Sequence, residues 1–208
     1  MDDNINIKVC FVGECCVGKT MMLERYVNGI YIEGNESSTR PNYGNKELKL
    51  KKNLSINLDL WDMGGGQEIY RGLNKNFIIN SNIAILIYDI CNKRSFEEIK
   101  NYHYETVKEV GEKNIVCGLA GNKCDLFNSE EVSEKEAIQY SKEIGAIFQY
   151  TSNKDNIGID ELILKCVYQY LANNNIIKKE DIPIKYIPYL ELTNFEKFKK
   201  KIFKYFNY

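Results

Sequence analysis

The chain has 208 residues, with 28 Lys and Arg against 29 Asp and Glu and a formal net charge of −1. So even a balance leaves no electrostatic footprint for nucleic acid, and the length suits one domain plus a modest extension. Its seven cysteines are scattered without C-x-x-C spacing and read as reduced thiols of a cytosolic protein; no apolar run would span a membrane, and the acidic, polar Met1-Asp2-Asp3-Asn4 does not open a signal peptide.

The first predicted strand covers residues 5–12, where Ile5, Ile7, Val9 and Phe11 alternate before Val12. A helix over 19–28 follows a short turn, with Met21, Met22, Leu23 and Tyr26 in its pattern. Residues 29–44 read as a polar loop. Strands at 45–50 and 54–61 come next, joined by Lys51-Lys52-Asn53 as a hairpin. A helix near 69–79 leads to a strand at 83–89. One helix is then expected from 95 to 110, with Ser95 as N-cap followed by Glu98. A strand at 115–121, a helix at 133–144 opened by Ser133 and Glu136, a strand at 147–151 and a helix at 160–172 complete the series. This alternation predicts an α/β sheet with helices on both faces, whose ligands bind at the carboxyl ends of the strands. Residues 1–175 form the domain, and 176–208 form an extension in which Pro183 and Pro188 mark a linker.

Gly13-Glu14-Cys15-Cys16-Val17-Gly18-Lys19-Thr20 has the form G-x-x-x-x-G-K-T. A glycine-rich turn can match that pattern by chance, but here it lies between an apolar strand and a helix, where the pattern makes a phosphate cradle. The glycines let backbone N–H groups face phosphate oxygens, and the helix N-terminus adds partial positive charge. Lys19 then reaches the β- and γ-phosphates, and the Thr20 hydroxyl is a ligand for Mg²⁺. A second element names the base. Asn122-Lys123-Cys124-Asp125 follows another apolar run. The Asp125 carboxylate can accept from both the N1–H and the exocyclic amine of guanine, a pair of donors that adenine lacks. The Lys123 stem covers the base face and Asn122 braces the loop. The nucleotide expected is GTP or GDP.

With these motifs in order, the chain resembles the small GTPases of the Ras superfamily, and specifically the Rab branch, over about residues 5–172. Ser37-Ser38-Thr39 stands in the place of the first switch, and Trp61-Asp62-Met63-Gly64-Gly65 looks like the second. Residues 84–89 with Ile90-Cys91-Asn92 and Ser95-Phe96 are similar to a stretch typical of Rab proteins. Thr151-Ser152-Asn153-Lys154 takes the position of the last guanine-contacting loop. The resemblance implies a P-loop small G domain, with six strands mainly parallel and one antiparallel edge strand. It implies that Tyr31 lies against guanine and that Ser38 joins Thr20 on Mg²⁺, with Thr39 as the alternative ligand. Asp62 would hold the same ion through a water, and the Gly65 N–H would meet the γ-phosphate. Ser152, Asn153 and Lys154 would face the base.

Two departures bear on hydrolysis and attachment. Relatives place a Gln directly after the glycine of the second switch to orient the attacking water. Here Gly66 stands there and Gln67 follows. Either Gln67 is displaced or a bulge of three glycines returns it to the water; weak intrinsic hydrolysis is the favoured expectation. Cys15 lies at the edge of the γ-phosphate, where an electropositive loop could lower a thiol pKa. No histidine-assisted arrangement is visible, because the single histidine, His103, falls within the third predicted helix. At the carboxyl end no cysteine follows Cys166 and no glycine follows Met1, so no lipid anchor is evident. Residues 194–208 instead pattern as a basic amphipathic helix that would contact a membrane weakly, a partner or its own domain. The expected protein is a monomeric switch, cytoplasmic or peripheral on an endomembrane. Its partners would be an exchange factor, a GTPase-activating protein and effectors, with no nucleic acid among them. A GTP-binding adaptor that does not hydrolyse is the alternative class.

Overall fold

Along the first strand, β1 (Ile5–Val12), Ile7, Val9 and Phe11 join one core cluster while Cys10 and Val12 join another, and all five are fully buried. A strand buried on both faces belongs inside a sheet covered on both sides. The computed structural model describes residues 5–34, 41–50, 54–64, 71–183 and 186. It places β1 parallel to β3 (Ser55–Asp62) and to β4 (Ile83–Asp89). From β4 the sheet continues in parallel through β5 (Val116–Asn122) to β6 (Ile147–Tyr150). At the other edge β2 (Asn42–Lys49) runs antiparallel to β3. Among the described residues the sheet is six-stranded, in the order β2-β3-β1-β4-β5-β6, as the resemblance implied.

Helices cover both faces. One cluster packs Ile7, Val9 and Phe11 against Met22 and Leu23 of α1 (Lys19–Asn28) and Leu162 and Cys166 of α6 (Ile159–Asn173). On the opposite face Cys10, Leu86 and Tyr88 meet Phe96 of α3 (Lys93–Glu98) and Val107 of α4 (Tyr104–Val110). Ile78 of α2 (Arg71–Ile78) and Ala137 and Tyr140 of α5 (Glu134–Glu143) complete that layer. Ser133 caps α5 as expected, accepting from the Glu136 N–H at 3.3 Å. Beyond α6, Ile177 packs against the first cluster and Tyr186 stacks on Tyr168 at 5.2 Å. No helix among the described residues is long and apolar enough to cross a membrane.

Two elements differ from expectation for identifiable reasons. β2 starts at Asn42 rather than 45, because an edge strand with a solvated face needs no apolar alternation and its polar start reads as loop. Gly44 is buried there, and a Cβ would come within 2.9 Å of Val27 Cγ2, so a larger residue would force the side chains of α1 that pack on it to shift. The single helix expected over 95–110 is divided into α3, a π-helical turn at Ile99–His103, and α4. Its N-cap is Asn92, whose side chain accepts from the Ser95 N–H at 3.2 Å. Ser95 is instead buried inside α3, where its hydroxyl donates to the Asn92 carbonyl at 2.7 Å and accepts from the Asp89 N–H at 3.0 Å. The remaining described strands and α-helices agree with prediction to within a residue or two at each end, while short 3-10 helices at Cys124–Ser129 and Lys179–Asp181 were not expected. Ser37, Ser38, Thr39, Gly65, Gly66, Gln67, the turn at 51–53 and the tail helix at 194–208 lie outside the described residues.

Candidate nucleotide site

The carboxyl ends of β1, β3, β4, β5 and β6 converge on the residues singled out from sequence. Chain direction alone makes this so, since parallel strands share one functional edge. After Val12 the chain turns at Gly13 with φ +153°, and a Cβ there would lie 2.2 Å from the Ile87 carbonyl oxygen. Gly18, at φ +98°, opens α1 without a side-chain cap, which leaves the first-turn N–H groups for a ligand. Lys19 is buried, and its Nζ donates to the carbonyls of Gly13 at 2.9 Å and Glu14 at 2.7 Å. Burial lowers its pKa, opposed by the nearby Asp62 charge.

Thr20 and Asp62 meet directly: the Thr20 hydroxyl donates to Asp62 Oδ2. Asp62 Oδ1 accepts from the Gly64 N–H at 3.0 Å. Burial raises the Asp62 pKa, while Thr20, Lys19 and Gly64 hold it down. Among the described residues no group of three or more His, Cys, Asp and Glu could hold a metal ion unaided. A cation beside Thr20 and Asp62 would therefore draw further ligands from phosphate and water, which suits a hard ion of the Mg²⁺ kind.

The second loop is braced against the first. Asn122, at the end of β5, is 1 % exposed; its Nδ2 donates to the Val17 carbonyl at 2.8 Å and its Oδ1 accepts from the Thr151 hydroxyl at 3.1 Å. Asn153 adds another tie, with Nδ2 donating to the Gly18 carbonyl at 2.8 Å. Its Oδ1 is buried without a partner among the described residues, an acceptor that suits a polar ligand. Lys123 adopts φ +64° and its Nζ is 2.6 Å from Asp89 Oδ2, which fixes the stem expected over the base. Asp125 Oδ1 accepts from the Ser152 hydroxyl at 2.6 Å, leaving the other carboxylate oxygen for a second donor. Lys154 is exposed and pairs with Glu33 at 3.2 Å. Tyr31 enters this end through Arg25, whose guanidinium carbon is 5.5 Å from the ring centroid.

Gly13 to Thr20, Asp62, Asn122, Lys123, Asp125 and 152–154 thus come together, with Tyr31 at the rim. Val17 is buried beneath the loop, while Cys15 and Cys16 are exposed, Cys16 at φ +62°. The loop does not lower the Cys15 thiol pKa as an electropositive cradle could: partial desolvation of this exposed thiol raises it first, then the neighbouring Cys16 and Glu14. His103 is closer to the chemistry than its helical position suggested, with Nε2 3.0 Å from Glu14 Oε1. Its partner is that carboxylate. Sequence reasoning missed the site roles of His103, Arg25, Glu33 and Asp89, whose partners lie far along the chain.

A glycine-rich loop ahead of α1, locked by two side-chain amides to the loops after β5 and β6 at one sheet edge, is the architecture of a P-loop protein. The model of the Ras family matches residues 8–172. "Ras-related protein Rab-21" of Homo sapiens is 36% identical over 159 residues, covering 76% of this chain and 69% of that protein. The protein of the same name in Geodia cydonium is 34% identical over 170 residues, covering 82% of this chain and 73% of its own. "Ras-related protein Rab-22A" of Homo sapiens is 35% identical over 159 residues, covering 76% and 80%. The chain belongs to the Ras family, as a divergent Rab-like small GTPase.

The bracing role of Asn122 is open to measurement. Asn122→Ala leaves the Val17 carbonyl and the Thr151 hydroxyl without their buried partner, which should lower unfolding free energy in urea by about 1–3 kcal/mol. Nucleotide retention should fall with it. An unchanged urea midpoint would mean that the amide does not hold the two loops.

Proposed function

We propose that the protein is a guanine-nucleotide-dependent switch that binds GTP or GDP with Mg²⁺, hydrolyses GTP slowly and regulates vesicle or membrane trafficking. The observation that carries this reading is the Asn122 amide on the Val17 carbonyl, which fixes a base reader beside a phosphate loop at one spacing. Asp125 selects guanine by accepting from the base's N1–H and exocyclic amine, with the Ser152 hydroxyl orienting one carboxylate oxygen. Lys123 and Tyr31 lie to the sides of the base. Ser152, Asn153 and Lys154 form its outer wall. The Lys19 ammonium, already drawn to two carbonyls, turns to the phosphate oxygens and stabilises the charge that grows on them. Thr20 and Asp62 would hold Mg²⁺, Asp62 through a water, with Ser38 completing the set. When bound, the ion supplies charge neutralisation on the phosphates.

Hydrolysis joins a water oxygen to the γ-phosphorus and breaks its bond to the bridging oxygen, so GDP leaves with those electrons and the water's protons pass to phosphate and solvent. Gln67 orients that water in this reading and Gly65 donates to the γ-phosphate, with Gly66 displacing Gln67 from its usual register. A GTPase-activating protein would add an arginine, worth about 10³–10⁵ in rate. An exchange factor and effectors would bind the switch segments. The basic, aromatic stretch 194–208 is proposed to touch an anionic membrane weakly and reversibly.

Two measurements test the reading. A fluorescent GDP analogue bound by the purified chain with Mg²⁺ should be displaced by GDP and GTP, and not by ATP at the same concentration; equal displacement by ATP removes the guanine assignment. Deleting Gly66 restores the register of Gln67 and should raise single-turnover hydrolysis by about ten- to a hundredfold, the scale on which a misplaced reacting group is felt. A rate unchanged or lowered by the deletion would mean that Gln67 is already in place or has no role.

A further inference from the structure

We propose that Arg25 is a latch on the guanine-reading loop, a positioning residue that sets how long the nucleotide stays bound and how strictly its base is read. The proposal rests on the guanine-nucleotide reading above. Arg25 projects from α1, the helix that begins at the phosphate loop. Its Nε donates to the Asn153 carbonyl at 2.8 Å and its Nη2 to the Lys154 carbonyl at 2.8 Å, residues more than a hundred positions away. Its Nη1 donates to the Gly29 carbonyl at 2.9 Å, and its Cζ stands 5.5 Å from the Tyr31 ring centroid. One rigid fork therefore holds three carbonyls on two segments, a task for guanidinium that a single ammonium cannot reproduce.

The peptide group is planar, so fixing a carbonyl fixes the N–H of the next residue. Pinning the Lys154 carbonyl thereby sets the Asp155 N–H, which donates to Ser152 Oγ at 3.0 Å. The Ser152 hydroxyl in turn donates to Asp125 Oδ1 at 2.6 Å. A continuous line of hydrogen bonds thus runs from Arg25 to the carboxylate that recognises guanine. Each link in it polarises and orients the next. Lys154 with Glu33 makes a parallel tie across the same mouth, but both side chains are exposed, 51 % and 77 %, and such a pair contributes little. The latch is Arg25.

The experiment follows release of fluorescent GDP and fluorescent IDP from the full chain with excess unlabelled nucleotide. IDP lacks the exocyclic amine that Asp125 accepts from, so the ratio of the two rates reports how well the carboxylate is held. Arg25→Ala should speed GDP release by about tenfold or more and bring the GDP and IDP rates closer together. Arg25→Lys should recover only part of the loss, and Glu33→Ala should stay within about twofold of the parent chain. Arg25→Gln, which suits a helix and can still donate to one carbonyl, is measured alongside so that the outcome does not depend on one variant folding. A parent chain that fails to bind GDP overturns the underlying reading. Binding by the parent with release from the Arg25 variants at the parent's rate, or faster release at an unchanged GDP-to-IDP ratio, overturns the latch.

Discussion

Two buried side-chain amides set the distance between the loop at 13–20, proposed to hold phosphate, and the loops at 122–125 and 152–154, proposed to read the base. Asn122 reaches the Val17 carbonyl across 105 residues of sequence, and Asn153 reaches the Gly18 carbonyl across 135. A nucleotide presents its base at one end and its phosphates at the other, so both loops must be held at a matching separation before either is useful. Neither loop carries the structure to do this alone. The glycine at position 18 is part of the same device, because a Cβ there would lie 2.5 Å from Asn122 Nδ2 and 2.7 Å from Asn153 Nδ2. Its missing side chain is the space in which the two amides meet α1.

Around that brace the protein stores charges that are costly to bury. Lys19 and Asp62 are both buried, and dehydration pushes the ammonium pKa down and the carboxyl pKa up. Each is partly compensated by carbonyls, a hydroxyl or a backbone N–H, and by the other's opposite charge. Such a site is preorganised for an anionic ligand and its counter-ion, because the dipoles are fixed before the ligand arrives. The sheet makes this possible by bringing five parallel strand ends to one edge.

The motifs at 13–20 and 122–125 stand out in the sequence because each has a fixed local spacing, and backbone geometry permits few alternatives to it. The interior strands were legible too: residues 83–88 are an apolar run with every side chain buried. Other features depend on distant partners, and nothing in a local window marks them. Arg25 looks like a solvated residue of an amphipathic helix until the fold brings two carbonyls to it. His103 reads as a helical residue until a π-helical turn brings it to Glu14. The start of β2 is hidden because its polar residues pair only with β3 and face solvent on one side. Ser95 reads as a cap because Asn92, the better-placed acceptor, lies just before the apolar pattern.

The base-reading step is tested most directly by changing the hydrogen-bonding character of Asp125. In Asp125→Asn an amide replaces one carboxylate oxygen with a donor, which mismatches the exocyclic amine of guanine and matches the C2 carbonyl of xanthine. Equilibrium titration of the variant with GDP and XDP, beside the parent chain, should show GDP affinity falling and XDP affinity rising until xanthine is preferred. GDP bound as tightly by the variant as by the parent, with no gain for XDP, would contradict the assignment of Asp125 as the residue that selects guanine.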